Sequence, residues 1–184
     1  MVFGSIFGDV EAFIERGGPM MAIIFVIILL IWALAFERMV YLRVVFPERA
    51  KAALEDWNSR SDKTSWYAYS IRRAMLSRIR LEAETNLGLI NTLVAISPMC
   101  GLLGTVVGMI SVFHVMMVLG NSDVRALAAG VSEATLTTMA GMVGALSGLF
   151  LSRLVQRRTR AANAELERAL HAGEEDYSPA SARA

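Results

Sequence analysis

Three uncharged, largely apolar runs organise this chain: residues 17–36, residues 85–122, and residues 134–152, the last with an upward extension toward Val124 if Glu133 is tolerated. The first run is about twenty residues, the length of one membrane-spanning helix. The second and third are joined only by Asn121, Ser122 and Asp123, which predicts a tight helical hairpin with Ser122 or Asp123 capping the returning helix. The expected elements are a first helix over 17–36, a second over 85–120, a turn at 121–123, and a third helix over 124–171 with a polar extension past Gln156. Between the first two runs, residues 37–84 mix charges with Met39, Leu42, Leu54, Trp57, Ile71, Leu76 and Ile79, the pattern of amphipathic helix. Pro47 is expected to break the helix leaving the first run, and residues 58–65 to form a polar turn. Residues 70–84 are expected to flow into the second run without a break. Residues 1–16 form the N-terminal segment, and residues 172–184 a polar, flexible tail.

Composition points the same way. Apolar residues make up 55% of the chain and charged residues only 19%, with a mean hydropathy of +0.48, where a soluble domain carries about 25% charged residues. The expected fold class is therefore all-α: a single integral membrane domain with three transmembrane helices, the second and third long and extended into the cytoplasm. A signal peptide is the rival reading of the first run, but Asp9, Glu11 and Glu15 precede it against a lone Arg16, and a signal peptide needs a basic start. Basic residues set the orientation. The N-terminal segment and the hairpin hold one each (Arg16 and Arg125), residues 37–84 hold ten, and the segment from Arg153 holds six. The positive-inside rule then puts the N-terminus outside and the C-terminus in the cytoplasm. Arg157, Arg158 and Arg160 fit an anchor at a helix end, with lipid head groups as the sharper alternative. A net charge of +1 leaves no footprint for nucleic acid, and the lone Cys100 makes no internal disulfide.

Glu133 is the residue that changes the picture. It is the only acidic residue between Ala126 and Ser152. A carboxylate in an apolar membrane segment is costly unless it faces a bundle interior or a watery cavity, which makes it a functional candidate. Counted from the hairpin it lies about ten residues down, or roughly 15 Å at 1.5 Å per residue, near the middle of a 30 Å hydrocarbon core. By the same count Thr105 and Thr138 fall at one level on opposite helices. Helical phase instead favours Thr137, which is four residues from Glu133 and shares its face. The second run is nearly twice a bilayer span, and so much apolar surface outside the hydrocarbon implies packing against further copies of the chain. Gly101, Gly104 and Gly108 on the second helix, and Gly141, Gly144 and Gly148 with Ala140 and Ala145 on the third, form small-xxx-small spacings that allow close backbone approach. Pro98 is expected to kink the second helix. His114 reads as a packing or interfacial residue rather than a proton shuttle. No metal-ligand spacing, nucleophile–base pair or phosphate-binding glycine loop is present in the sequence, so neither an enzyme nor a cofactor is expected.

The stretch from Ser97-Pro98 through Gly101-Leu102-Leu103-Gly104-Thr105-Val106-Val107-Gly108-Met109-Ile110 resembles the signature of the MotA/TolQ/ExbB proton-channel family. Gly130-Val131-Ser132-Glu133-Ala134, then Leu136-Thr137-Thr138 and Gly141, is similar to that family's third-helix motif. Gly17-Gly18-Pro19 opening the first helix and Glu37-Arg38 closing it also fit, from Gly17 to about Arg158. Ser147 departs from the pattern, where such relatives often carry proline. The length resembles ExbB or TolQ more than the four-crossing MotA. The resemblance implies a homo-oligomer, a pentamer, around single-pass partners of the ExbD/TolR type in the bacterial inner membrane, with the N-terminus periplasmic. Proton flow would energise a TonB-like protein for outer-membrane transport, or serve a TolQ-like system of envelope maintenance. It further implies that Thr105 and Thr138 line the proton pathway with Glu133, and its register selects Thr138 over Thr137. A structural scaffold in which Glu133 only locks packing is the alternative of another class.

Overall fold

A computed structural model describes residues 17–61, 65–119 and 124–175. The expected hairpin turn at 121–123, the N-terminal segment and most of the tail lie outside these residues. All regular structure among them is helical: α1 (Gly18–Asn58), α2 (Trp66–Glu84), α3 (Leu87–Leu119) and α4 (Val124–Glu175). Three stretches, Gly18–Asn58, Trp66–Val118 and Leu127–Leu170, are long and apolar enough to cross a membrane. This is an all-α, multi-pass membrane protein. The chain divides into two compact units, Met1–Ala33 with Leu89–Leu151 and Leu34–Gly88 with Ser152–Ala184.

The first unit is the apolar one. Its helices meet along a seam of small residues. A side chain on Gly101 would come within 3.1–3.3 Å of the Thr137 carbonyl oxygen and the Thr138 and Gly141 α-carbons. The buried Ser97 hydroxyl donates to the Gly141 carbonyl at 3.0 Å. α1 joins this pair in parallel with α4: Ile28 packs at Gly144, and Ile31 at Gly148. Yet only 22–28% of each helix's most apolar stretch is buried, and Met99, Leu102, Val106, Phe113, Leu146 and Phe150 stay exposed. Such a surface needs lipid or other protein to cover it.

The second unit has an ordinary packed core of Phe46, Ala53, Trp57, Ala68, Ile79, Ala83, Leu166 and Leu170. Ser65 caps α2, accepting from the Tyr67 amide at 3.1 Å. Arg38 is buried among helix ends, where it donates to the Glu82 carbonyl at 3.1 Å and lies 4.8 Å over the Tyr41 ring.

Three local expectations are corrected here. Pro47 does not break the helix, for α1 runs through it to Asn58. An internal proline costs about 3 kcal/mol, but Phe46, Ala53 and Trp57 on the continuing helix are buried in the core and offset it. The passage from residues 70–84 into the second apolar run is interrupted rather than continuous. Thr85 ends α2, with its hydroxyl donating to the Leu81 carbonyl at 2.9 Å, and Asn86 takes a φ of 64° before α3 begins at Leu87. Asparagine tolerates this left-handed conformation after a helix end better than most residues. The third helix also continues past residue 171, to Glu175.

Asn86→Ala is accordingly expected to destabilise the protein by about 1 kcal/mol, while Asn86→Gly stays close to wild type. Thermal unfolding of the detergent-solubilised variants checks this; equal effects of the two would show that the backbone conformation is not the cause.

Candidate functional site

α3 and α4 position the site. The seam of Ser97, Gly101, Gly104 and Gly108 turns one face of α3 toward Ala134, Thr137, Thr138 and Gly141 of α4. Thr138 donates across this seam to the Gly101 carbonyl at 3.2 Å and along its own helix to the Ala134 carbonyl at 3.4 Å. Thr137 is 1% exposed; its hydroxyl donates to the Ala134 carbonyl at 2.8 Å and fills the space beside Gly104. Thr105 bonds to its own helix, at the Leu102 carbonyl, 2.7 Å away.

The seam pairs Gly104 with Thr137 and Gly108 with Ala134, close to the register counted from the hairpin. Thr138 donates to the Gly101 carbonyl and Thr105 to the Leu102 carbonyl, so the two hydroxyls spend their donors on separate backbone groups.

Glu133 is half-buried beside a hollow of about 660 Å³ lined by Ser111, Val112, Ser132 and Leu136 among others. Its carboxylate occupies the space that a side chain on Gly18 would need. Gly18 has a φ of +66°, which suits glycine and few other residues. Glu133 is therefore level with the first turn of α1. The count from the hairpin put it midway down; measured against α1, it lies at the opening of that helix's uncharged run. The first turn of α1 carries no acidic residue. A helix N-terminus attracts negative charge, and here the carboxylate comes from another helix.

Sequence reasoning assigned no site role to Gly18 or Ser97. Both stood in quoted motifs, but the long-range partners that give them meaning, Glu133 and Gly141, are not visible in local spacing. Among the described residues no group of three or more His, Cys, Asp or Glu is placed to hold a metal ion. His114 is exposed and Cys100 is a free thiol.

The arrangement offers a half-buried carboxylate, one buried hydroxyl and two less buried hydroxyls within an otherwise uncharged stretch of helices. Each hydroxyl has spent its single donor on a carbonyl but keeps lone pairs to accept with.

Comparison with known proteins agrees with the motifs. The chain is 37% identical over 70 residues to the biopolymer transport protein ExbB-like 1 of Synechocystis sp., covering 36% of this chain and 28% of that relative. It is 25% identical over 99 residues to the ExbB-like 1 protein of Helicobacter pylori, covering 54% of this chain and 52% of that one. The chain thus matches about a quarter to a half of the length of these relatives. Residues 45–168, which hold Thr105, Glu133, Thr137, Thr138 and all six seam glycines, match the model of one family, and the chain belongs to the MotA/TolQ/ExbB proton channel family.

Proposed function

We propose that this protein is a proton-conducting subunit of an ExbB-like motor in a bacterial inner membrane, working with an ExbD/TolR-type single-pass partner to energise a TonB-like protein. The observation that carries the reading is Glu133, a half-buried carboxylate on a membrane helix, beside a hollow and a few residues from Thr138. A family of proton channels supplies the context. The exposed apolar faces of α3 and α4 suit a homo-oligomer, a pentamer in the family's pattern, enclosing the partner helices. The basic residues favour a periplasmic N-terminus and a cytoplasmic C-terminus.

In this mechanism the titrating group that travels is a carboxyl of the partner. Charging it in the apolar zone is expensive, so it crosses neutral and ionises where water or donors meet it. A neutral carboxyl is itself a donor. Thr138, whose own donor is held by the Gly101 and Ala134 carbonyls, keeps acceptor lone pairs for it. Each proton moving down the membrane potential supplies about 2.3 kcal/mol per 100 mV.

The test is proton flux in liposomes containing the protein with its single-pass partner. Thr138→Ser keeps the hydroxyl and is expected to retain flux; Thr138→Val is expected to lose at least about tenfold, the effect of about 1.4 kcal/mol. Full flux in Thr138→Val would remove the threonine from the pathway. An assembled wild-type complex without flux would make the protein a scaffold.

A further inference from the structure

The second unit contains a cavity of about 450 Å³ that the channel reading does not use. Its wall includes Tyr69, Arg72, Arg73 and Arg80 from α2 and Asn163 and Glu167 from α4. Three arginines and one glutamate thus line it. Arg80 places its Nε 3.4 Å from Glu84 Oε1 and keeps its remaining guanidinium donors for another acceptor. Arg72 is 6% exposed and stacks 5.4 Å from the Tyr69 ring centre, so its position is fixed by packing.

The second observation is Asn163. Both its amide nitrogen and its amide oxygen are buried without a hydrogen-bond partner. Such groups are rare in folded proteins and call for a water, an ion or a ligand. The terminal torsion of asparagine is soft, so the amide turns toward the cavity at small cost. There it would offer one donor group and one acceptor beside excess positive charge.

We infer that this cavity binds a phosphate group, with Arg73 and Arg80 supplying charge and Asn163 supplying hydrogen bonds. Phosphate fits each part. Its oxygens accept from guanidinium forks in bidentate geometry. A protonated phosphate, or a neighbouring hydroxyl of a phosphate ester, donates to the Asn163 oxygen. Two sources carry this chemistry, a free inorganic phosphate or ester and a lipid headgroup, and the experiment separates them.

The full-length protein, purified in detergent, is titrated with radiolabelled orthophosphate by equilibrium dialysis. It is also placed in nanodiscs of phosphatidylcholine with or without phosphatidylglycerol, and the lipid retained on re-extraction is measured. Asn163→Leu removes both unpaired amide atoms at similar volume and is expected to fold at least as well as wild type. Orthophosphate binding by wild type that weakens at least tenfold in Asn163→Leu and Arg73→Ala, and stays within twofold in Arg78→Gln, supports a soluble phosphate. Arg78 lies on the same helix outside the cavity, paired with Glu82. Selective retention of phosphatidylglycerol by wild type but not by Asn163→Leu, without orthophosphate binding, assigns the same cavity to a headgroup. Absence of binding to either probe, or equal losses in Arg73→Ala and Arg78→Gln, overturns the inference.

Discussion

Glu133→Ala and Glu133→Gln are both expected to abolish proton-driven work, and Gly18→Ala is expected to cost most of it while leaving the carboxylate in the sequence. The reasoning starts at Gly18. A methyl group there would overlap the Glu133 carboxylate, and the backbone φ of +66° disfavours any side chain. The backbone conformation alone costs about 1–2 kcal/mol. The overlap is relieved differently, because the carboxylate is the far end of a flexible side chain. It moves, and the backbone stays. Gly18→Ala therefore relocates the charge by an ångström or more from the opening of α1, where the helix N-terminus favours it.

If α1 positions Glu133 in this way, the two sites are coupled. In the Glu133→Ala background the overlap no longer exists, and Gly18→Ala should cost only its backbone strain. The interaction energy in a double-mutant cycle is expected to exceed the additivity limit of about 0.5 kcal/mol. Thermal unfolding gives the stability arm and proton flux gives the functional arm. Glutamine separates shape from charge, because it keeps the side chain's size and loses the carboxylate. Wild-type flux in Glu133→Gln would show that no carboxylate is needed at this position. Strict additivity of Gly18→Ala and Glu133→Ala would show that α1 does not hold the carboxylate.

The same pair of residues shows what could be read from the sequence and what could not. Glu133 is conspicuous as a lone acid among apolar and small residues, and the three long helices follow from run lengths alone. Its partner is hidden because Gly18 lies on another helix, and nothing local in Gly17-Gly18-Pro19 announces a carboxylate. Counting from a turn gives depth along each helix, but not the bond from Thr138 to the Gly101 carbonyl, which depends on glycine backbones approaching closely there. Pro47 and Asn86 invert the usual order of signals. Proline is a strong local breaker, but tertiary burial of Phe46, Ala53 and Trp57 overrides it. The break that does occur sits at an asparagine, in a stretch whose uncharged pattern gave no reason to expect one. The cavity beside Asn163 was out of reach altogether, since its walls come from helices far apart in the chain.

Gly141→Val is expected to be the most damaging single change to the apolar unit, at about 3 kcal/mol or more. A β-carbon on Gly141 would stand 2.9 Å from the Ser97 carbonyl oxygen, 3.0 Å from the Gly101 α-carbon and 3.2 Å from the Gly101 nitrogen. Every one of these atoms is backbone, so no rotamer change relieves the overlap and the helices must separate. Overpacking of this kind costs about 1–3 kcal/mol, and separation also breaks the Ser97–Gly141 hydrogen bond, worth about 1 kcal/mol. Valine adds a branch that has even less room than alanine. Gly88 is the control, with nothing within 4 Å of its would-be side chain. Gly88→Ala should be neutral or gain up to about 1 kcal/mol in helix propensity. The functional consequence follows from where the seam lies. Gly101 faces Gly141 and also accepts from Thr138, so parting the backbones at Gly141 pulls the Thr138 hydroxyl from its carbonyl. Gly141→Val is thus expected to lose proton flux even in whatever fraction still assembles. Unfolding midpoints and flux measured on the same preparations decide it: a variant within about 0.5 kcal/mol of wild type, the range of ordinary surface substitutions, would mean that α3 and α4 are not in the close contact described.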